Sequence, residues 1–293
     1  MQKCPICNNE MSVYRLQGPY HLLCCTSCRY LLRDTRTAPA LNVIGRGKDL
    51  SKVSIGIRNN ILFERIRRFL LCHPNVKRIL DCGCGNGFLI KKLAKIFPRK
   101  EFVGIDPNYR LLNSDGTIAN LKIFRTTLEK FSSQTKFDLI LMIHVIEHFE
   151  NLEKALHKFN ILSSMNAFIL GLTPNAENIA LKFFKKHWWH LGDPTHRRFF
   201  SRKSLEMLFK KYSFRILKIS YPLLDGLGVE AWSLRDFLGL KNPHYITMDY
   251  FISALFLLTK VFLPNYLRPS IMFIVTKTHN DYSTKNVEIV YKK

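Results

Sequence analysis

Ile79-Leu80-Asp81-Cys82-Gly83-Cys84-Gly85-Asn86-Gly87 is the stretch whose reading decides the fold. Ahead of it, Val76 to Leu80 has the apolar make-up of a short buried strand, interrupted only by Lys77 and Arg78. Behind it, Phe88, Leu89, Ile90, Leu93, Ala94, Ile96 and Phe97 recur at helical spacing until Pro98 closes the run. A strand therefore ends in a glycine turn, and the turn opens a helix. Glycine lets the backbone turn sharply and approach a ligand closely. The helix N-terminus is expected to offer unpaired N–H groups to a polar or anionic ligand end. A second strand, Phe102-Val103-Gly104-Ile105, ends in Asp106, where a carboxylate can accept from both hydroxyls of a ribose. A dinucleotide fingerprint would place its third glycine at position 88, but Phe88 stands there and the glycine comes early, at Gly87. The turn reads D-x-G-x-G-x-G.

Outward from this turn, strands and helices alternate, which predicts an α/β fold with a mostly parallel sheet and helices on both faces. Lys122 to Arg125, Phe137 to Ile143 and Phe168 to Leu172 read as further strands, with helices at Leu152–Leu162 and Ser201–Tyr212. Phe214 to Tyr221 and Ile271 to Thr276 read as late strands. Arg58 to Cys72 carries Ile61, Leu62, Ile66, Phe69 and Leu70 on one stripe, an amphipathic helix capping the domain. Cys72, Cys82 and Cys84 are read as small buried residues.

At the N-terminus, Cys4-Pro5-Ile6-Cys7 and Cys25-Thr26-Ser27-Cys28 are separated by 17 residues, a spacing that suits a zinc site of four thiolates. Four protein ligands make a closed, structural site. The expected organisation is a zinc ribbon over residues 1–33, a linker over 34–57, the main domain over 58–280 and a tail over 281–293. The ribbon, lying outside the main sheet, is expected to be separable from it.

A chain of 293 residues suffices for one large domain and one small one. Hydrophobic residues at 47% against 23% charged exclude a disordered chain. A net charge of +23 suits an acidic partner: nucleic acid, an anionic membrane surface or a phosphorylated substrate. All eight cysteines precede residue 85, the first ten residues are polar, and no apolar run approaches the roughly 18 residues a bilayer span requires. A reducing, cytoplasmic setting is expected.

The glycine turn with its downstream Asp106 resembles motif I of class I methyltransferases that use S-adenosylmethionine. Phe137-Asp138-Leu139-Ile140 followed by His144-Val145-Ile146-Glu147-His148-Phe149 resembles the F-D-x-(V/I) … E-x-x-E-H segment of the ubiquinone-biosynthesis O-methyltransferases. Leu172-Thr173-Pro174-Asn175 and Asp193-Pro194-Thr195-His196-Arg197-Arg198-Phe199-Phe200-Ser201 resemble that group's T-P-N and H-x-x-F-F-(S/T) stretches. The likeness spans about residues 60–220 and departs at His144, where those relatives carry Glu. It implies a Rossmann-like methyltransferase fold with a seven-stranded sheet, the late strands forming a reversed hairpin. It further implies S-adenosylmethionine bound by Asp81, Gly83, Cys84, Gly85, Gly87, Asp106, Pro107, Leu128 and His144. The N-terminal cysteines are similar to the zinc ribbon that precedes some bacterial methyltransferases.

Methyl transfer from a sulfonium needs mainly positioning, and a hydroxyl acceptor needs a base, for which histidine titrates in the right range. His148 and His196 are the candidates, with Glu147 orienting a histidine. His144, Glu147 and His148 are read as cofactor- and substrate-facing polar groups in preference to a second metal set. Residues 174–200, with Trp188-Trp189, form the expected substrate lid. The acceptor is expected to be a small-molecule, lipid or sugar hydroxyl. An rRNA methyltransferase is the second reading, since charge and ribbon suit RNA, although the N-P-P-Y motif of amino methylation is absent. A cofactor-binding relative without catalysis is the third. Tyr250 to Leu263 is too short to span a bilayer and too apolar for an exposed helix. It is expected either to be buried between the late strands, the favoured account, or to lie on an anionic membrane.

Overall fold

The computed structural model describes residues 2–17, 20–34, 48–109, 117–225, 228–240, 246–262 and 264–278. The N-terminal part is an antiparallel meander of β1 (Met11–Gln17), β2 (Tyr20–Cys25) and β3 (Leu31–Arg33). A long helix, α1 (Lys48–Cys72), leads into β4 (Arg78–Cys82), α2 (Phe88–Ile96), β5 (Glu101–Ile105), β6 (Leu121–Phe124) and β7 (Phe137–Ile143). Then come α3 (Leu152–Leu162), β8 (Ser163–Pro174), α4 (Ile179–Phe184), the two-residue β9 (Arg198–Phe199), α5 (Arg202–Lys211) and β10 (Phe214–Ser220). The chain closes with α6 (Val229–Phe237), α7 (Ile246–Phe262) and β11 (Ser270–Lys277).

Seven strands form one sheet in the order β10-β11-β8-β7-β4-β5-β6. The pairs from β8 to β6 are parallel, and β11 is antiparallel to both β8 and β10. The expected reversed hairpin of late strands is therefore present. Both faces are covered, so the central strands are apolar on both sides. Ile79, Leu139 and Leu141 pack with Leu62, Ile66 and Leu70 of α1 and with Ile90 and Leu93 of α2. Their neighbours Leu80, Ile140 and Met142 pack on the other face with Phe159 of α3 and Phe209 of α5. The strand order reverses between β4 and β7. In such sheets the crevice outside the carboxyl ends at that reversal is where ligands bind.

Besides Cys72, which is exposed where it was expected to be buried, three expectations need correction. The capping helix starts at Lys48, not Arg58, so the supposed linker is helical in its second half. Residues 35–47, its first half, and the tail after residue 280 lie outside the described residues. Nor does the N-terminal module stand apart from the larger domain. Its β3 pairs with β9, Leu31 opposite Phe199 and Leu32 opposite Arg198, in a four-stranded sheet of order β1-β2-β3-β9. Tyr30, fully buried, packs on Phe200 with ring centroids 5.5 Å apart, and Leu22 and Leu31 join Trp188 and Phe199 in one cluster. The reason is area: a module this small cannot bury a core of its own and completes one against the larger domain.

The third correction concerns α7. It is not buried between the late strands. It packs on α6, turning Ser253 and Lys260 inward, where Lys260 Nζ lies 2.7 Å from Glu230 Oε2. Leu255 (54% exposed), Leu258 (62%) and Phe262 (87%) face outward, the reverse of an ordinary amphipathic helix. No described helix is long and apolar enough to cross a membrane.

Candidate active site

The crevice is built by three strand ends. At the end of β4, Gly83, Gly85 and Gly87 all take positive φ, 76°, 58° and 77°. A Cβ at Gly83 would lie 2.5 Å from Val145 Cγ2, so that position requires glycine for space as well as for angle, while the region beside Gly85 is open. The turn is tied to its neighbours rather than left with free amides. Gly83 and Cys84 donate to Ile105 O at 2.8 and 3.1 Å, Gly85 donates to Asp106 Oδ2 at 2.9 Å, and Phe88 donates to Asn86 Oδ1 at 3.1 Å. The expected row of unpaired amides at the start of α2 is thus partly self-satisfied, because the Asn86 side chain accepts the Phe88 amide. The rigidity this gives is what a preformed ligand cradle needs.

From the end of β7 comes His144, whose φ of 54° is unusual for a non-glycine residue and is held by a bond from its amide to Leu172 O at 2.8 Å. His144 sits between two carboxylates. Its Nδ1 is 3.1 Å from Glu147 Oε1, and its Nε2 is 3.8 Å from Asp225 Oδ2. Burial alone would lower its pKa. The Asp225 and Glu147 carboxylates outweigh burial and raise it to about 9, so the ring is an imidazolium at neutral pH. Burial pushes both acids up, but the His144 cation holds each near 2. Glu147 is fully buried and also accepts from Thr173 Oγ1 at 3.0 Å. Behind β4, burial and then the Asp106 charge lift Asp81 to about 7.

A cavity of about 620 Å³ opens between these ends, an ordinary size for a small-molecule site. Of the sequence-predicted residues, Gly83, Asp106, Pro107, Leu128, His144 and His148 line it. Asp81, Cys84, Gly85, Gly87, Glu147 and His196 are not among the lining residues, although Gly85 bonds to Asp106, Glu147 to His144, and the His196 ring lies against that of His148. Pro194, Thr195 and Arg197, from the segment expected to be a lid, also line it. His148 Nδ1 is 2.9 Å from Thr195 Oγ1, and its ring lies 4.7 Å from that of His196. His196 is buried, bonded through Nδ1 to His190 O at 2.7 Å, and burial lowers its pKa. Trp188 and Trp189 are packing residues. The first is fully buried and donates to Asn178 Oδ1 at 3.0 Å, and the second lies against Trp232 with centroids 4.5 Å apart.

Glu147, His148 and His196 also bring potential metal-ligating atoms within 4.8 Å of one another. Both Glu147 oxygens and the Nδ1 atoms of both histidines bond to residues outside the trio, which leaves the two Nε2 atoms as the ring nitrogens such a site would use. The N-terminal cysteines are different. Cys4 and Cys28 sulfurs are 3.6 Å apart, Cys7 and Cys25 sulfurs 3.3 Å, and all four lie within 4.8 Å of one another. Tetrahedral zinc–sulfur bonds of about 2.3 Å require edges of about 3.8 Å, close to this arrangement. Each CxxC closes as a turn, Asn8 N to Cys4 O at 2.9 Å and Arg29 N to Cys25 O at 2.8 Å, with Asn8 and Arg29 at positive φ.

A family model described as a methyltransferase domain matches residues 56–219, more than half of the chain. The chain belongs to this methyltransferase family. Its Rossmann-like methyltransferase fold carries the glycine turn, Asp106 and the His144–His148 segment on adjacent strand ends, all inside the matched region. Among curated relatives, a malonyl-[acyl-carrier protein] O-methyltransferase of Legionella pneumophila is 30% identical over 117 residues, 38% of this chain and 40% of that protein. A ubiquinone biosynthesis O-methyltransferase of Bradyrhizobium diazoefficiens is 32% identical over 29% of this chain and 35% of its own length. One from Rhodopseudomonas palustris is 28% identical over 59% of this chain and 71% of its own. The match thus spans well under half the length of the first two. Among solved structures, a SAM-dependent methyltransferase from Archaeoglobus fulgidus superposes with TM-score 0.49 at 18% identity, covering 75% of this methyltransferase chain and 94% of that one.

Sequence reasoning missed Asp225, Asp193, Thr195 and Arg33 as site-supporting residues. Only Asp193-Pro194-Thr195 carried a local signal, an acid and a hydroxyl at turn spacing.

Proposed function

We propose that this chain transfers a methyl group from S-adenosylmethionine to the hydroxyl oxygen of a small-molecule or lipid acceptor. The observation that carries this reading is the shared cavity, which Gly83, Asp106 and His148 all line. Bound there, S-adenosylmethionine would supply a methyl already activated by its sulfonium. Asp106 would accept from the ribose hydroxyls, and the cavity walls would hold the acceptor in line. His148 would take the hydroxyl proton at Nε2. His144 stays charged between its two carboxylates and serves as a fixed cation in the wall. Zinc, held by Cys4, Cys7, Cys25 and Cys28, would be structural. The relatives' names, O-methyltransferases of ubiquinone biosynthesis and of malonyl-acyl carrier protein, support an oxygen acceptor.

The test is binding by calorimetry followed by labelled methyl transfer into separated small-molecule, lipid and RNA pools. Label in RNA alone, with affinity falling steeply at raised salt, would favour the rRNA reading. Binding without transfer to any pool would favour a non-catalytic relative. A membrane-surface location is a second element of the reading, supported by the outward leucines of α7 and the net charge of +23.

A further inference from the structure

Thr195 Oγ1 lies 2.5 Å from Asp193 Oδ1 and 2.9 Å from His148 Nδ1. A threonine hydroxyl has one proton to give. Burial pushes Asp193 upward, but bonds from the Thr195 hydroxyl and amide and the nearby His196 hold it below its ordinary range, so it is an ionised, acceptor-only group. The hydroxyl proton therefore goes to Asp193. The Thr195 oxygen has only lone pairs left for His148, and Nδ1 of His148 must be the donor. Its Nε2 is then the unprotonated nitrogen.

The loop that carries this pair is fixed from the N-terminal module. Arg33, buried at the end of β3, donates through Nη2 to Leu191 O at 2.8 Å and to Asp193 O at 2.9 Å, and through Nε to His196 O at 3.0 Å. Its own amide donates to Arg197 O at 2.9 Å. One planar guanidinium thus gathers three carbonyls of a single loop, a geometry that the point charge of a lysine cannot reproduce.

We propose that Asp193 and Thr195 are positioning residues that hold His148 as its Nδ1–H tautomer, and that Arg33 of the N-terminal module keeps them in place. This rests on the reading of His148 as the base, for which a free Nε2 is the requirement. The cysteine-bearing module thereby braces the acceptor side of the cavity.

The experiment is ring-nitrogen NMR on the full-length, ¹⁵N-labelled protein at a pH where His148 is neutral, its signals assigned by their loss in His148→Gln. In the wild type, His148 should be the Nδ1–H form. Thr195→Val, nearly isosteric, should make Nε2–H the major form, and Thr195→Ser should restore the wild-type pattern. Arg33→Lys should shift the population the same way as Thr195→Val while S-adenosylhomocysteine affinity stays within about twofold, the sign of an intact cofactor side. A wild-type His148 in the Nε2–H form, or a Thr195→Val protein that keeps Nδ1–H, overturns the relay. An Arg33→Lys protein with an unaltered tautomer overturns the brace. Methyl transfer surviving in His148→Gln would instead remove the base assignment and leave the tautomer result standing, so the two failures are told apart.

Discussion

The Asp106 carboxylate accepts the Gly85 amide at 2.9 Å through one oxygen, and the Asn108 amide at 2.7 Å through the other. The acid at the end of β5 therefore fastens the glycine turn at the end of β4 before any ligand arrives. Asp106→Ala should remove both that fastening and a ribose acceptor, and weaken S-adenosylmethionine binding by about 2 kcal/mol, roughly thirtyfold. Asp106→Asn keeps one acceptor oxygen and should fall between. Calorimetry giving the wild-type dissociation constant for Asp106→Ala would remove Asp106 from the cofactor site.

The elements around this turn were legible because their signals are local. Leu80, Ile140 and Met142 alternate with Ile79, Leu139 and Leu141 within single strands, and three glycines in five positions mark one turn. What escaped reading is what the chain assembles from afar. Arg33 meets carbonyls about 160 positions away, and Asp225 closes on His144 from beyond β10. Neither residue sits in a pattern that its neighbours reveal. Composition also could not show which side of α7 faces inward, because Lys260 finds a buried partner only in Glu230 of another helix.

Fresh, reduced protein should contain one zinc per chain, read by elemental mass spectrometry, with Cys4, Cys7, Cys25 and Cys28 as ligands. Metal-free preparations in full reductant would refute the site. Because Tyr30 covers Phe200, and Leu22 and Leu31 complete the cluster around Trp188, loss of the metal should not be silent elsewhere. Chelation should lower the melting temperature of the whole protein and open residues 188–200 to hydrogen exchange. Exchange confined to residues 2–34 would show that the module is an independent appendage.

His144 predicts a dependence of stability on pH. Its folded pKa of about 9 stands above its ordinary 6.5. The stabilisation is therefore complete below about 6.5 and is lost as pH rises through 9. Glu147 and Asp225, held near 2 against ordinary values of 4.5 and 3.8, contribute above those ordinary values and lose their share as pH falls toward 2. His144→Gln should be most costly between these limits, by at least about 1 kcal/mol more at pH 6 than at pH 9.5 in urea melts. Equal losses at the two pH values would mean that the ring is neutral in the folded protein.

The outward face of α7 is the remaining place where structure and composition conflict. Leu255, Leu258, Val261 and Phe262 are more than half exposed, while Ser253 and Lys260 are buried, Lys260 against Glu230 of α6. Helix α4, which like α7 contacts α6, carries Phe183 at 70% exposure, flanked by exposed Lys182 and Lys185. Leaving such side chains in water forgoes roughly 1.5–3 kcal/mol each relative to burial. An interfacial position would bury them in the acyl boundary and set the lysines among anionic headgroups. The protein should therefore sediment with vesicles rich in anionic lipid at low salt, and less with neutral ones. Leu258→Glu and Phe262→Glu lie on the exposed face, away from the Lys260–Glu230 pair, so they should abolish sedimentation without lowering the melting temperature. Binding that survives both substitutions would place the contact elsewhere, and absence of sedimentation in the wild type would leave a non-lipid acceptor as the better reading of the cavity.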